Sequence, residues 1–197
     1  MDGTPGFFGK EEEMDGKCRC SWVNSENPLL VRYHDEEWGK TPENDGKLFE
    51  MLLLECFQAG LSWECILNKR ENFRAAFDGF DPEKIAAYDE EKCARLLEDA
   101  GIVRHRGKIR AAVTNARVFL EIQQEYGSFS DFLWGFTDGE TTQDQGGPTS
   151  LLSDRISAAL RRRGMKFVGS TTVYAFLQAM GMVQGHEKGC FLAREEA

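Results

Sequence analysis

An all-α fold is what this sequence predicts, and three observations carry the prediction. Apolar residues recur at helical spacing in eight stretches, the stretch boundaries carry helix caps, and no run of alternating β-branched residues stands between turn dipeptides. The helical stretches are residues 45–59, 63–77, 81–88, 90–100, 108–126 and 129–136, then 153–163 and 170–180. Asp81-Pro82 sets an N-cap before a proline at the first helical position, and Gly101, Gly127 and Gly181 follow periodic segments where C-terminal caps belong. Between the two groups of helices, "TDGETTQDQGGPTS" (137–150) is a polar, glycine-rich loop.

Size bounds the organisation. The 197 residues, 41% of them hydrophobic, suit a single domain of residues 18–192 with its own core, preceded by an acidic, disordered tail (1–17) and followed by a short tail (193–197). The longest apolar stretch, "MLLLECF", is far short of the roughly 20 residues that cross a bilayer, and "MDGTPGFFGKEEEMDGK" has no basic region leading into an apolar one. A cytoplasmic protein with no membrane partner is expected. Nothing in the pattern calls for more than one copy, so a monomer is expected. Six cysteines without a secretory signal read as thiols or metal ligands rather than disulfides, with Cys56, Cys65 and Cys93 as core thiols among apolar neighbours.

The net charge of −9 argues against a nucleic-acid partner until its distribution is considered. Asp2, Glu11, Glu12, Glu13 and Asp15 against Lys10 concentrate negative charge in the first residues, while "RHRGKIR" (104–110) and "RRRGMK" (161–166) stand apart as basic runs. The first run lies between two helices, 90–100 and one starting near Lys108. Gly107 permits close approach, and Arg104, Arg106 and Lys108 surround a helix start whose free N–H groups suit a phosphate. Such a turn would hold DNA without reading its sequence; an ordinary helical hairpin with a solvated basic turn has the same spacing.

Two of the three histidines lie in arrangements like metal half-sites. Cys20 precedes His34, and His186 with Cys190 forms H-x-x-x-C. Together they would make a closed Cys₂His₂ zinc site clamping the two ends of the domain. Cys18 competes with Cys20 as the first ligand, and a satisfied histidine away from any metal is the plainer reading of each half-site alone.

The most informative stretch is "KLFEMLLLECFQAGLSW". It is apolar on too many sides for a single stripe, so its helix is buried nearly all round. Glu50 and Glu55 interrupt it, and at about 100° per residue they point about 140° apart, so one of them faces inward. A buried carboxylate either pairs with a neighbouring cation or has a functional duty. Tyr33, Trp38 and Trp63 could wall a pocket with a carboxylate floor, a combination that suits a flat cationic guest.

Four stretches then make a pattern: "CSWVNSENPLLVRYHDEEWG", "LFEMLLLECFQAGLSWECILNKRENFRAAF", "DAGIVRHRGKIRAAVTNAR" and "RRRGMKFVGSTTVYAFLQAMGMVQGHEKGC". Together, from about Cys20 to Cys190, they resemble the type I DNA-3-methyladenine glycosylases of the helix-hairpin-helix repair superfamily. The resemblance implies a two-lobed helical fold, a structural zinc joining the chain termini, and hydrolysis of the bond joining 3-methyladenine to deoxyribose in alkylated duplex DNA. It makes Cys20, His34, His186 and Cys190 the zinc ligands, Glu55 the carboxylate on the methylated base with Tyr33 as a second polar contact, and Trp63 the stacking surface with Trp22 and Trp38 nearby. The "AGL" turn, with Gly60 and Leu61, falls where the family inserts a wedge into the duplex. One extra residue between Cys20 and His34, Leu30, and the "ECFQAG" segment depart from the family pattern around the pocket, and the acidic first 17 residues have no counterpart.

Alkylation at N3 leaves adenine cationic and already a good leaving group, so the implied enzyme extracts and holds the base rather than supplying a strong acid. No lysine is marked as a nucleophile, so base release without strand cleavage is expected. A non-catalytic DNA-binding module and a sensor of free alkylated base are the competing classes. Neither the hairpin nor the zinc half-sites separate them from an enzyme; the carboxylate beside stacked aromatics argues against the first.

Overall fold

The computed structural model describes residues 16–144 and 146–193, and the expected acidic tail and C-terminal tail lie mostly outside them. Among the described residues the regular elements are helical apart from one pair of two-residue strands. Helix α1 (Pro28–Arg32) runs into a single π-helical turn (Tyr33–Glu37). It is succeeded by α2 (Asp45–Gln58), α3 (Trp63–Asn68), α4 (Arg70–Ala76), α5 (Pro82–Ala86), α6 (Glu90–Glu98), α7 (Arg106–Tyr126) and α8 (Phe129–Trp134). After the polar loop come α9 (Leu151–Arg162) and α10 (Ser170–Ala179). Strands β1 (Thr142–Gln143) and β2 (Val183–Gln184) pair in parallel, Thr142 opposite Val183. No helix among these residues is long and apolar enough to cross a membrane.

Several boundaries match the sequence signals. Asp81 accepts from the N–H groups of Glu83 and Lys84 ahead of α5, and Gly127 ends α7 at φ +90°. Gly101 does not cap α6, which already stops at Asp99; the Asp99 carboxylate takes the Gly101 N–H at 2.7 Å. The single helix expected over 63–77 is two, because the α-helical bonding lapses at Lys69 (φ −100°, ψ 0°), whose N–H turns to Ile66 O between α3 and α4. The helix and π-turn over 28–37 have no counterpart among the expected elements, because their apolar residues are too interspersed with charge to show a period.

Helix α2 is the central element. Asn44 caps it by accepting from Lys47 N at 3.0 Å, and its residues from Leu48 to Phe57 are all buried against α3, α7, α8 and α10. Two aromatic clusters flank it: Phe49 with Phe119 and Phe129 (ring centroids 4.9 and 4.4 Å along the chain of contacts), and Phe57 with Phe73 and Phe77 (4.8 and 5.5 Å from Phe57). Asp45 ties the start of α2 to that of α8, accepting from Phe129 N at 2.6 Å and Ser130 N at 3.0 Å.

Both glutamates of α2 are buried, not one. Glu50 is the paired one: Arg70 Nε and Arg74 Nη2 each lie 2.7 Å from its Oε1, and Lys47 Nζ lies 3.2 Å from Oε2. Arg70 also reaches Glu37 in the π-turn at 2.8 Å, so the cluster pins that turn to α2 and α4. Burial pushes the Glu50 carboxyl up, but Arg70, then Lys47 and Arg74, hold it below the ordinary carboxylate range. Removing one member of a buried ion cluster strands the others. Arg70→Met should therefore lower stability by about 3 kcal/mol in urea unfolding; a change under about 0.5 kcal/mol, typical of a surface site, would contradict an anchoring role for the cluster.

Candidate active site and candidate metal centre

A cavity of about 380 Å³ opens beside α2, walled by Trp22, Tyr33, Trp38 and Trp63 with Glu55 at its base. The π-turn places Tyr33 inside, α2 supplies Glu55, and α3 begins with Trp63 after a Ser62 cap. The Tyr33 and Trp63 rings sit 5.1 Å apart, tilted by 46°; Trp22 meets Trp38 edge-on at 5.1 Å. The sequence-predicted aromatic box and carboxylate are thus brought together. Gln58, Ser62 and Gln178 also line the cavity and lie outside the predicted set. Gln58 and Ser62 are within five residues of Glu55 or Trp63, a proximity that could have found them; Gln178 comes from α10, and no sequence signal ties α10 to this cavity.

Glu55 differs from Glu50 in having no cation partner among the described residues. It is 5% exposed, and its Oε2 has no hydrogen-bond partner. Burial alone pushes its carboxyl up to about 8. Trp63 Nε1 is likewise buried without an acceptor. Among the described residues three buried side-chain polar atoms lack partners, and two of them belong to this cavity. A donor and an acceptor left open out of contact with solvent are costly unless a ligand completes them.

Cys20, His34, His186 and Cys190 converge with all four ligand atoms within 4.8 Å of one another. Cys18 is exposed and outside the cluster, which decides between the two cysteines. Cys20 Sγ lies 3.6 Å from His186 Nδ1, and Cys190 Sγ lies 3.4 Å from His34 Nε2 and 3.6 Å from His186 Nδ1. Tetrahedral bonds of ~2.3 Å to sulfur and ~2.0 Å to nitrogen put S and N ~3.6 Å apart, so the donor set fits a four-coordinate ion. The other nitrogen of His34, Nδ1, is 2.8 Å from Asp35 Oδ1, and Arg19 grips both Asp35 oxygens at 2.9 and 2.7 Å. This carboxylate fixes the ring with Nε2 facing the cluster, as outer partners of metal-binding histidines do. Peptide N–H groups of Glu187 and Leu192 point at the Cys20 and Cys190 sulfurs at 3.4 and 3.5 Å. Trp38 lies between the two sites, a pocket wall packed at 4.7 Å against the His186 ring.

The basic residues sort differently from expectation. Arg104, Arg106 and Gly107 are exposed, with His105 capping α7 by accepting from Lys108 N at 3.1 Å. Lys108 is a correction: it is buried, and its ammonium donates to Phe57 O and Ala59 O at the end of α2, so it offers no surface cation. Gly60 (φ +84°) and the exposed Leu61 form the turn just beyond. The second basic run borders a groove of about 690 Å³ with Arg161, Arg162, Lys166 and the exposed Phe167. Here α9 and α10 form a second helical hairpin, and α10 starts at Gly169 with no side chain capping its first N–H groups. Phe167 touches His105 (ring centroids 6.0 Å), so the two basic runs, far apart in the sequence, meet on one face. Cys65, expected in the core, is only half-buried.

Comparison with known proteins extends this picture. The family model for methyladenine glycosylase matches residues 22–193. The chain is 51% identical over 179 residues to DNA-3-methyladenine glycosylase 1 of Escherichia coli K12, covering 87% of this chain and 95% of that protein. It is 42% identical over 181 residues to the DNA-3-methyladenine glycosylase of Haemophilus influenzae, covering 87% and 96%. Among solved structures, a crystal structure of 3-methyladenine DNA glycosylase I superposes with a TM-score of 0.85 at 48% identity, covering 90% of this chain and all of that one. The Staphylococcus aureus 3-methyladenine DNA glycosylase I, solved for its recognition of 3-methyladenine, matches at a TM-score of 0.85 and 36% identity, covering 91% and 98%.

The Glu55 carboxyl sets a pH signature on stability. Its folded value of about 8 stands above the ordinary 4.5, so between those limits the folded chain holds a proton that the unfolded chain releases. Stability is therefore lost as pH rises through that window. Glu55→Gln should be more stable than the parent, with the gap widening from near zero at pH 4 to about 2–4 kcal/mol at pH 8. Parallel pH–denaturation curves for the two proteins would show that Glu55 is ionised without penalty.

Proposed function

This chain belongs to the methyladenine glycosylase family, and from that premise we propose that Glu55, Tyr33 and Trp63 receive a 3-methyladenine flipped out of duplex DNA. The chain is a base-excision glycosylase acting on 3-methyladenine in DNA. The single observation that carries the assignment of the site is the unpartnered Glu55 Oε2 in an aromatic cavity. A carboxylate with no protein cation awaits one from the ligand, and N3-alkylated adenine in DNA carries a fixed positive charge.

The chemistry then divides among few groups. Trp63 and Tyr33 offer faces to the flat cation, with Trp22 and Trp38 closing the box. Glu55 accepts from the base edge, and the Trp63 N–H is open to an acceptor of the base or of a bound water. Meeting a fixed cation in a site of low polarity favours ionisation of Glu55, so its proton departs as the base enters. The glycosidic C–N bond breaks, its electron pair neutralises the ring, and water adds to the oxocarbenium-like sugar with loss of a proton. No lysine lines the cavity, which supports base release without strand cleavage. Leu61, carried on Gly60, fills the space the nucleotide leaves. Exposed Arg104 and Arg106 beside Gly107, together with the α9–α10 hairpin, supply the helix-hairpin-helix face that holds phosphates; the uncapped start of α10 makes that hairpin the better anion site. A single copy of the chain contains every group this reading uses.

Cys20, His34, His186 and Cys190 would hold one zinc ion. Bound there it supplies folding energy and a cross-link between distant parts of the chain, because four protein ligands leave no position for water.

Incubation with methylated duplex DNA should release 3-methyladenine, resolved from methylated guanines by chromatography, and leave the strand uncut. Glu55→Gln should slow single-turnover release by about 10²-fold, the scale of losing one preorganised electrostatic contact; unchanged release would remove Glu55 from the mechanism. Metal analysis should find about one zinc per chain, and His186→Ala should lose it along with stability. A metal-free preparation as stable as the holoprotein would refute the clamp.

A further inference from the structure

Lys108 occupies the first turn of α7, where a cation opposes the dipole of its own helix. It is also buried. Burial removes it from a surface phosphate contact, and a buried cation set against its own helix dipole needs another explanation. The ammonium lies 2.8 Å from Phe57 O and 2.6 Å from Ala59 O, carbonyls 51 and 49 residues away in sequence. These stand at the negative end of α2, where carbonyls run out of intrahelical partners, and α2 has no basic residue in its own last turn. Lys108 supplies that missing cation from another helix.

The turn beyond Ala59 gives the contact a use. The chain reverses at Gly60 (φ +84°), Leu61 N returns to Gln58 O at 2.6 Å, and the Leu61 side chain is 42% exposed at the tip. The tip itself packs against little: a side chain added at Gly60 would meet nothing within 4 Å. The turn is thus held at its base, by two charge-assisted bonds to one ammonium, and free at its apex. An apolar probe pushed between stacked bases works only if its mounting does not yield, because ordering a loose turn on insertion would consume the contact energy it gains.

We propose that Lys108 is a positioning residue for base extraction, fixing the 59–61 turn so that Leu61 enters the duplex as the damaged nucleotide leaves the stack. The inference rests on the reading of Leu61 as the inserted residue. Lys108 contacts neither the cavity nor the base, so its contribution belongs to opening the duplex and not to holding the extruded base.

The test compares single-turnover release from one methylated oligonucleotide in two duplexes, with the lesion opposite thymine or opposite an abasic site, where less pairing must be broken. Lys108→Met should slow release from the paired duplex by about tenfold or more, the effect of losing a charge-assisted hydrogen bond. Release from the abasic-opposed duplex and affinity for free 3-methyladenine, read by tryptophan fluorescence, should change less than about threefold. Lys108→Arg should recover most of the paired-duplex rate. Leu61→Ala should give the same contrast, and adding Lys108→Met to it should cost little more, because the two act through one turn. If Lys108→Met does not fold, Lys108→Gln, a neutral donor, should show the contrast at reduced size. Equal losses on both duplexes, no loss on either, or full additivity with Leu61→Ala would overturn the proposal. A parent chain that releases base from neither duplex would instead sink the functional reading on which it rests.

Discussion

Helix α2 buries two glutamates and pairs only one of them with cations. Glu50 is surrounded by Arg70, Arg74 and Lys47, and its cluster extends to Glu37 in the π-turn. Glu55, little more than one turn on, is left to an aromatic cavity. The contrast is what a binding helix requires. The first acid anchors the helix among its neighbours and fixes the turn that carries Tyr33, and the second can then be held in an unfavourable environment because the anchor is firm. If Glu55 receives the cationic base as proposed, it has no need of a protein cation, and a lysine or arginine placed there would compete with the guest.

The pocket and the metal cluster are one construction. Trp38 forms a wall of the cavity on one face and packs on His186 on the other, while His34 comes directly after Tyr33 in the π-turn. Close approach is enforced from the backbone as well: Gly39, at φ +75°, lies where a Cβ would come within 2.9 Å of His186 Nε2. A metal held by His34 and His186 would therefore restrain the aromatic box without taking part in the bond that breaks.

Much of this is legible in the sequence, and the parts that escape it have physical reasons. The long periodic helices, the caps at Asp81 and Gly127, the aromatic box and the four metal-ligand positions can be read because each rests on local spacing or on dispersed motifs in order. The break at Lys69 has no proline or glycine to announce it. That Glu50 rather than Glu55 finds cations depends on where α4 packs, which periodicity does not encode. Lys108 reads as a surface cation because it sits in a basic run; only the landing of the α2 C-terminus beside it makes it a buried cap. The α9–α10 hairpin is legible as two helical stretches, 153–163 and 170–180, beside a basic run; that this run meets the 104–110 run on one face depends on the contact of Phe167 with His105, which spacing does not encode.

The cluster of Cys20 and His34 with His186 and Cys190 also has a bearing on how the molecule acquires its activity. Contacts such as Cys20 to His186 join residues 166 positions apart, among the most distant pairings the chain makes. Helix α10 already packs on α2 across most of that separation, so once those two helices are together the cluster closes at little further entropic cost. Trp38, seated on His186, is completed in the same event. A chain whose cluster stayed open would leave Trp38 without its seat on His186, so the shape of the pocket depends on a junction between distant segments as well as on the core beneath it.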